Sequence, residues 1–353
     1  MSKKIQAIPT NLITGFLGSG KTTAILSLLR SRPENSNWAV LVNEFGDVGI
    51  DGDMFAQDGL GEGVFIKEVP GGCLCCAAGL PLQIALNLLI KQANPERILI
   101  EPTGVGHPKK VMDVLTGEFY KSVLDIRATI CLVEAHKLND SKYRNNETFI
   151  DQINMADVIL ASKSDQASSK DLDFFKQFFQ NFEPAKAKVE TIEFGQFNSD
   201  YLNIERKLLR SATYPNAHAP VAEKNQSLDT DDSHSHDVPV VDDNAQAEFK
   251  WQRFENNGQG YYGCGWIFDR SMVFSKTKLI EFVNDDAFSR VKGIFHTEDG
   301  WILLNRSDEQ LSQQTSTHRD DSRVELIEAQ AHDWNKVEAA ILACIQPKKI
   351  ILE

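Results

Sequence analysis

Residues 11–30 read NLITGFLGSGKTTAILSLLR. An apolar run, a glycine-rich turn ending in Lys-Thr, and a stretch of helical spacing follow one another without a break. GFLGSGKT at 15–22 fits the pattern of two glycines flanking four residues, then Lys and Ser or Thr. It also stands between strand and helix, the context that pattern requires. Gly15, Gly18 and Gly20, with Ser19 between them, let the backbone turn so that its N–H groups surround phosphate oxygens. The helical segment that begins at Thr22 and Thr23 points its positive end at the same anion. Lys21 is expected to reach the β- and γ-phosphates, and Thr22 to ligate Mg²⁺ through its hydroxyl.

Outward from this loop, short apolar runs alternate with helical patterns over the first 200 or so residues. The runs are IQAIPTNLIT, WAVLVN, FIKEV, RILIE, IRATICLVE, DVILAS and KVETIEF, and the helical segments include LPLQIALNLLIKQ and KDLDFFKQFFQNF. Such alternation predicts an α/β fold of the P-loop NTPase type, a mostly parallel sheet covered by helices on both faces. Ligands of these sheets bind beyond the carboxyl ends of the strands. This domain is expected over residues 1–213. A polar, acidic stretch with His234 and His236 reads as a flexible linker over 214–247, with weak metal collection as the sharper reading of DSHSHD. A small C-terminal α+β domain is expected over 248–353. Its runs YYGCGWIFD, RVKGIFHTE, GWILLNR and RVELIEAQ look like strands, and it shows no chemical motif. Its His296, His318 and His332 read as satisfied or solvated rather than as ligands.

Two further motifs lie just after strand-like runs. In ILIEPTG at 98–104 an apolar strand ends in an acid, Glu101, the type of residue that contacts Mg²⁺ in phosphate-loop proteins; Gly104 would offer its N–H near the γ-phosphate. DVILASKSD at 157–165 carries Lys163 and Asp165 where GTP-binding proteins have Asn-Lys-x-Asp. The Asp165 carboxylate would accept from guanine N1–H and the exocyclic amine, which adenine does not offer, and the Lys163 stem would pack on the base. Ser162 replaces the usual Asn.

Composition narrows the classes. The chain has 353 residues and a net charge of −13, enough length for two domains and the wrong sign for general nucleic-acid binding. No apolar run reaches the length of about 20 residues that a membrane helix needs. The opening MSKKIQAIPTN reads as a buried strand and not as a signal peptide. The chain is therefore expected to be cytoplasmic, with reduced thiols. Cys131, Cys264 and Cys344 sit in apolar surroundings and read as core. Cys73, Cys75 and Cys76 lie within GGCLCC at 71–76. For them metal binding and redox chemistry both stand.

Taken together, GFLGSGKTT, VNEFGDVGID at 42–51, GGCLCC, IEPTG and SKSD resemble the CobW-like GTPases, relatives of UreG and HypB, and look most like the YeiR-type branch. The resemblance covers about 210 residues. It implies a GTPase that binds Zn²⁺ or a similar ion and delivers it to client metalloproteins, and it makes NEFGDVGID a switch segment near the γ-phosphate. Glu44 or Asp51 of that segment would orient the attacking water, or supply a carboxylate to the metal.

A Cys-x-Cys-Cys cluster offers two or three soft sulfurs from one turn, while Zn²⁺ prefers four ligands. With no second cysteine pair, Cys73, Cys75 and Cys76 read as an incomplete, exchangeable site that the GTP-bound switch would close. Thiolates favour Zn²⁺, with Co²⁺ and Ni²⁺ as substitutes. His107, in GVGHP, is a weaker candidate, since a loop histidine more often caps or orients a neighbour. Relatives often work as dimers, so a homodimer is a further expectation. Two other readings share parts of this pattern: a nucleotide-dependent small-molecule kinase, which SKSD and the thiols oppose, and a thiol redox switch, which adjacent cysteines rarely support.

Overall fold

The computed structural model describes residues 7–43, 60, 62–69, 80–208, 210–214, 251–258, 261–285, 288, 290–307, 310–316, 320–328 and 330–346. Glu44, Asp51, Cys73, Cys75, Cys76, His234, His236 and His318 lie outside the described residues.

The first 200 residues build a parallel sheet from β1 (Ile8–Gly15), β2 (Trp38–Asn43), β3 (Val64–Val69), β4 (Arg97–Glu101), β5 (Leu124–Ile126), β6 (Ile130–Glu134), β7 (Val158–Ser162) and β8 (Lys188–Thr191). Their order is β3-β2-β4-β1-β6-β7-β8, with β5 also pairing β1. Every pairing is parallel. The helices are α1 (Lys21–Arg30), α2 (Leu80–Ala93), α3 (Pro108–Leu115), α4 (Ala135–Asn139), α5 (Ser141–Arg144), α6 (Glu147–Met155) and α7 (Ser169–Gln180).

The apolar runs are continuous because both sheet faces are covered. Side chains alternate between faces, and each parity joins its own core. Ile13, Val40, Val42, Leu99, Ile130 and Leu132 pack with Ala24, Ile25, Leu28 and Leu29 of α1. Leu12, Ala39, Leu41, Ile98 and Ile100 point the other way, against Leu82, Leu86 and Leu89 of α2 and Val111 and Leu115 of α3. Farther along, Cys131, Val133, Ile159 and Ala161 pack against Phe149 and Ile153 of α6 and Phe175 and Phe179 of α7. The expected single run IRATICLVE is divided: β5 ends at Ile126 and β6 starts at Ile130.

The C-terminal α+β domain is antiparallel, in contrast. It contains β9 (Trp251–Gly258), β10 (Tyr261–Asp269), β11 (Arg290–Thr297), β12 (Gly300–Ser307), β13 (Gln310–Thr315) and β14 (Asp321–Glu328), in the order β13-β12-β11-β14-β10-β9. Helices α8 (Lys276–Val283) and α9 (Trp334–Ala343) pack Leu279, Val283, Val337 and Ile341 onto Trp266, Val291, Phe295, Leu304 and Val324. One sheet face is therefore apolar. The other carries the opposite parity, and several of its residues are charged. The two edge strands β9 and β13 read WQRFENNG and QLSQQT, too polar to be recognised as strands from alternation. Cys131, Cys264 and Cys344 are buried free thiols, as expected of core residues. No described helix is long and apolar enough to cross a membrane.

Candidate nucleotide site

The carboxyl ends of β1, β4, β6 and β7 share one edge of the sheet, because all four strands run the same way. A cavity of about 630 Å³ opens there, within the range of ordinary ligand sites. Residues 17–23 form its floor, Glu101 and Gly104 one wall, and Ser162, Lys163 and Asp165 another. Of the residues singled out in the phosphate loop, Gly15 alone does not line the cavity. It lies behind the loop, where its carbonyl accepts from Lys21 Nζ at 3.0 Å.

The loop turns as its glycines allow. Gly20 stands at φ 83°, in the left-handed region, at the start of α1. Among the described residues no side chain caps this helix, and its first turn holds no acid. Its leading N–H groups are thus free to meet an anion. Gly104 is required by close approach: a Cβ there would sit 2.7 Å from Leu17 N. The wall and the floor therefore touch.

Thr22 Oγ1 donates to Glu101 Oε1 at 2.9 Å, so the two residues expected at Mg²⁺ are already together. A hydroxyl and a carboxylate are the hard oxygen donors that Mg²⁺ takes. Ser19 Oγ and Thr103 Oγ1, both buried and at the cavity, have no hydrogen-bond partner among the described residues. Buried hydroxyls are ordinarily satisfied, and an oxyanion at this position would satisfy them. The residues present thus fit a magnesium-bound phosphate.

Burial pulls the Lys21 ammonium down to about 8; the Glu101 carboxylate opposes the shift and the Arg290 charge adds to it. A bound polyphosphate stabilises the charged lysine and raises that value again, so binding takes up a proton above pH 8. Phosphate-ligand affinity is expected to be flat in this group below pH 7. Above pH 8 it should weaken, approaching tenfold per unit, or about 1.4 kcal/mol. Fluorescence titration with a labelled nucleotide between pH 6.5 and 9 checks this. A flat profile through pH 9 would rule Lys21 out as the titrating contact.

At the other end, Lys163 adopts φ 53° and pairs with Glu134 Oε2 at 3.0 Å. Glu134 Oε1 also meets Lys137 Nζ at 2.8 Å, and Lys137 Nζ donates to Leu17 O at 2.9 Å. Glu134 and Lys137 are nearly fully buried, where a charge needs a partner of opposite sign. Neither was marked from sequence. Their signal was weak: an acid at the end of β6 followed three residues later by a lysine. Phe194 and Gly195, after β8, also line the cavity unannounced; a glycine following the KVETIEF run was the available cue.

His107 caps α3, and its Nδ1 accepts the Lys109 N–H at 3.3 Å. Its Nε2 faces Asp151 Oδ2 at 2.9 Å, so Nε2 carries the proton. Both ring nitrogens are committed, as expected for an orienting histidine. No group of three metal-ligating side chains occurs among the described residues. His296 and His332 stack on Trp301 and Trp334.

Comparison with known proteins places this arrangement. Residues 9–190 match the model of the CobW/HypB/UreG nucleotide-binding domain. Zinc chaperone YeiR of Escherichia coli (strain K12) is 40% identical over 336 residues, covering 94% of this chain and 97% of that protein. Zinc chaperone CobW of Pseudomonas aeruginosa is 28% identical over 222 residues, 55% of this chain and 59% of that protein. Among solved structures, Zn(II)-bound YjiA GTPase from E. coli covers 96% of this chain and 99% of its own at 15% identity, with a TM-score of 0.37, too low to carry an argument. The matched domain takes in more than half of the chain, and the first relative nearly all of it: the chain belongs to the CobW/HypB/UreG family.

Proposed function

We propose that this protein is a GTPase that couples GTP binding and hydrolysis to the binding of Zn²⁺ and its transfer to a client metalloprotein. One observation carries the nucleotide half: Lys21, Thr22 and Glu101 meet at one end of a cavity whose other end holds Lys163 and Asp165. Lys21 contacts the β- and γ-phosphates, and Thr22 with Glu101 hold Mg²⁺, which neutralises charge on the phosphates when bound. Gly18, Ser19, Gly20, Thr23 and Gly104 complete the phosphate cradle. Lys163 packs on the base, and Asp165 accepts from guanine. Positioning and charge neutralisation dominate phosphoryl transfer, so slow intrinsic turnover is expected.

The metal half rests on the family, on the zinc-chaperone relatives and on strand register. Val69 pairs with Asn43, and Val42 with Glu101. The chain thus leaves β2 toward NEFGDVGID, and β3 toward GGCLCC, on the edge where Glu101 ends. Zinc is the cargo, taken by Cys73, Cys75 and Cys76, and the switch carboxylates of Glu44 or Asp51 complete the site in the GTP state.

Zinc affinity, titrated with a non-hydrolysable GTP analogue and then with GDP, tests the coupling. The GTP state is expected to bind roughly 5- to 150-fold more tightly, the span of ordinary coupling energies. Equal affinities in the two states would exclude it.

A further inference from the structure

The C-terminal sheet turns its second face toward the phosphate loop. Arg290 and Lys292 of β11, Asn305 of β12, Ser312 of β13 and Glu325 of β14 line the same cavity as Lys21, Thr22 and Glu101. Their placement follows from register. Lys292 stands opposite both Asn305 and Glu325, and Asn305 opposite Ser312, so these four form one polar row across four strands. Arg290 is two residues from Lys292, hence on the same face. Val291 and Phe295, of opposite parity, are in the helix-backed core.

Burial makes this row unusual. Lys292 is 2% exposed and Glu325 6%, although neither belongs to the apolar core. Arg290 lies near enough to Lys21 for the two charges to repel. No hydrogen bond or ion pair ties the Arg290 guanidinium to a partner among the described residues. Among the described residues the cavity is lined by Lys21, Lys163, Arg290 and Lys292 against Glu101, Asp165 and Glu325, one cation in excess in a chain of net charge −13. Facing cations are unfavourable unless an anion comes between them.

We propose that Arg290 of the C-terminal sheet donates to the γ-phosphate oxygens of the nucleoside triphosphate held by Lys21, supplying from the same chain a positive charge to the transfer step. This rests on the GTPase reading above. In hydrolysis water bonds to the γ-phosphorus and the bond to the β–γ bridging oxygen breaks. Its electron pair stays on the nucleoside diphosphate, and the water proton leaves with phosphate or to solvent. Negative charge spreads over the γ and bridging oxygens as this happens, where a guanidinium fork is well suited to receive it. The same contact joins the C-terminal domain to the γ-phosphate, and is lost when that phosphate departs.

The test uses the full-length protein with Arg290→Ala, Arg290→Lys and Lys21→Ala variants. Single-turnover GTP hydrolysis, GDP affinity and affinity for GDP with aluminium fluoride are measured on each. Arg290→Ala is expected to keep GDP affinity within about twofold, which also shows that it folds, and to lose roughly 10- to 100-fold in rate and in aluminium-fluoride binding, as for a lost charged hydrogen bond. Arg290→Lys should recover only part, lacking the fork. Wild-type rate and aluminium-fluoride affinity in Arg290→Ala, with nucleotide binding abolished in Lys21→Ala, would overturn the role of Arg290 and leave the GTPase reading standing. A wild-type protein that neither binds nor hydrolyses GTP would overturn both.

Discussion

Replacing Asp165 by Asn should lower GTP affinity by about 10³-fold or more and raise affinity for xanthosine triphosphate, since a site built on polar pairing rejects ligands that leave it unpaired. Asp165 lines the cavity and is exposed, so its carboxylate is open to a base. It offers two acceptors to two guanine donors. Asn keeps the shape but sets an amide N–H₂ against one of those donors. Xanthine carries a carbonyl where guanine carries the amine, and it accepts that new donor. Competition against a labelled nucleotide with GTP, ATP and xanthosine triphosphate measures the exchange. Unchanged GTP affinity would remove Asp165 from the base contact. The outcome also bears on Ser162, whose buried Oγ lacks a hydrogen-bond partner among the described residues, where Asn is usual. If Asp165→Asn behaves as expected, the missing Asn is not needed for guanine selection.

Changing Cys73, Cys75 and Cys76 together to Ser should lower Zn²⁺ affinity by about 10³-fold or more and leave GTP affinity within about twofold. A serine hydroxyl stays protonated near neutral pH and is a harder donor, so it gives zinc neither the charge nor the polarisability of a thiolate. Wild-type binding should release protons as thiols ionise, and should weaken as pH falls. Competition with a chromogenic chelator, with GTP analogue present, reads the affinity; weakly buffered solution reads the protons. Retained tight zinc binding in the triple variant would place the cargo elsewhere, and the linker histidines His234 and His236 would be the next residues to change. Cys131, Cys264 and Cys344 are poor substitutes. Burial pushes these thiols up to about 12, 12 and 11, far from the ionised form that binds metal.

The parallel sheet and the phosphate loop were legible because each is written locally. Continuous apolar runs such as WAVLVN and DVILAS mean burial on both faces. A loop between strand and helix means an anion site, and an acid that ends an apolar run, such as Glu101, falls on the ligand edge of a parallel sheet. The C-terminal sheet was legible only in part. RVKGIFHTE reads correctly as a strand, yet nothing in it says that the face holding Arg290 and Lys292 turns toward another domain. That depends on contacts between residues more than 250 positions apart. Glu134 and Lys137 were hidden for a similar reason: a strand-end acid and a nearby lysine look like ordinary solvated charges until the fold buries both.

Glu134 has a consequence for selectivity by size. Through Lys163 it holds the 162–165 turn, and through Lys137 it holds the Leu17 carbonyl of the phosphate loop. The two grips are thereby welded to one buried carboxylate and have little freedom to drift apart. On the proposed reading the cavity is a caliper: a ligand presents its base to Lys163 and Asp165 and its terminal phosphates to the phosphate loop at a set span. A bare polyphosphate or a free nucleobase engages one jaw only, and a longer or shorter linker between them misses the second jaw whenever it fills the first.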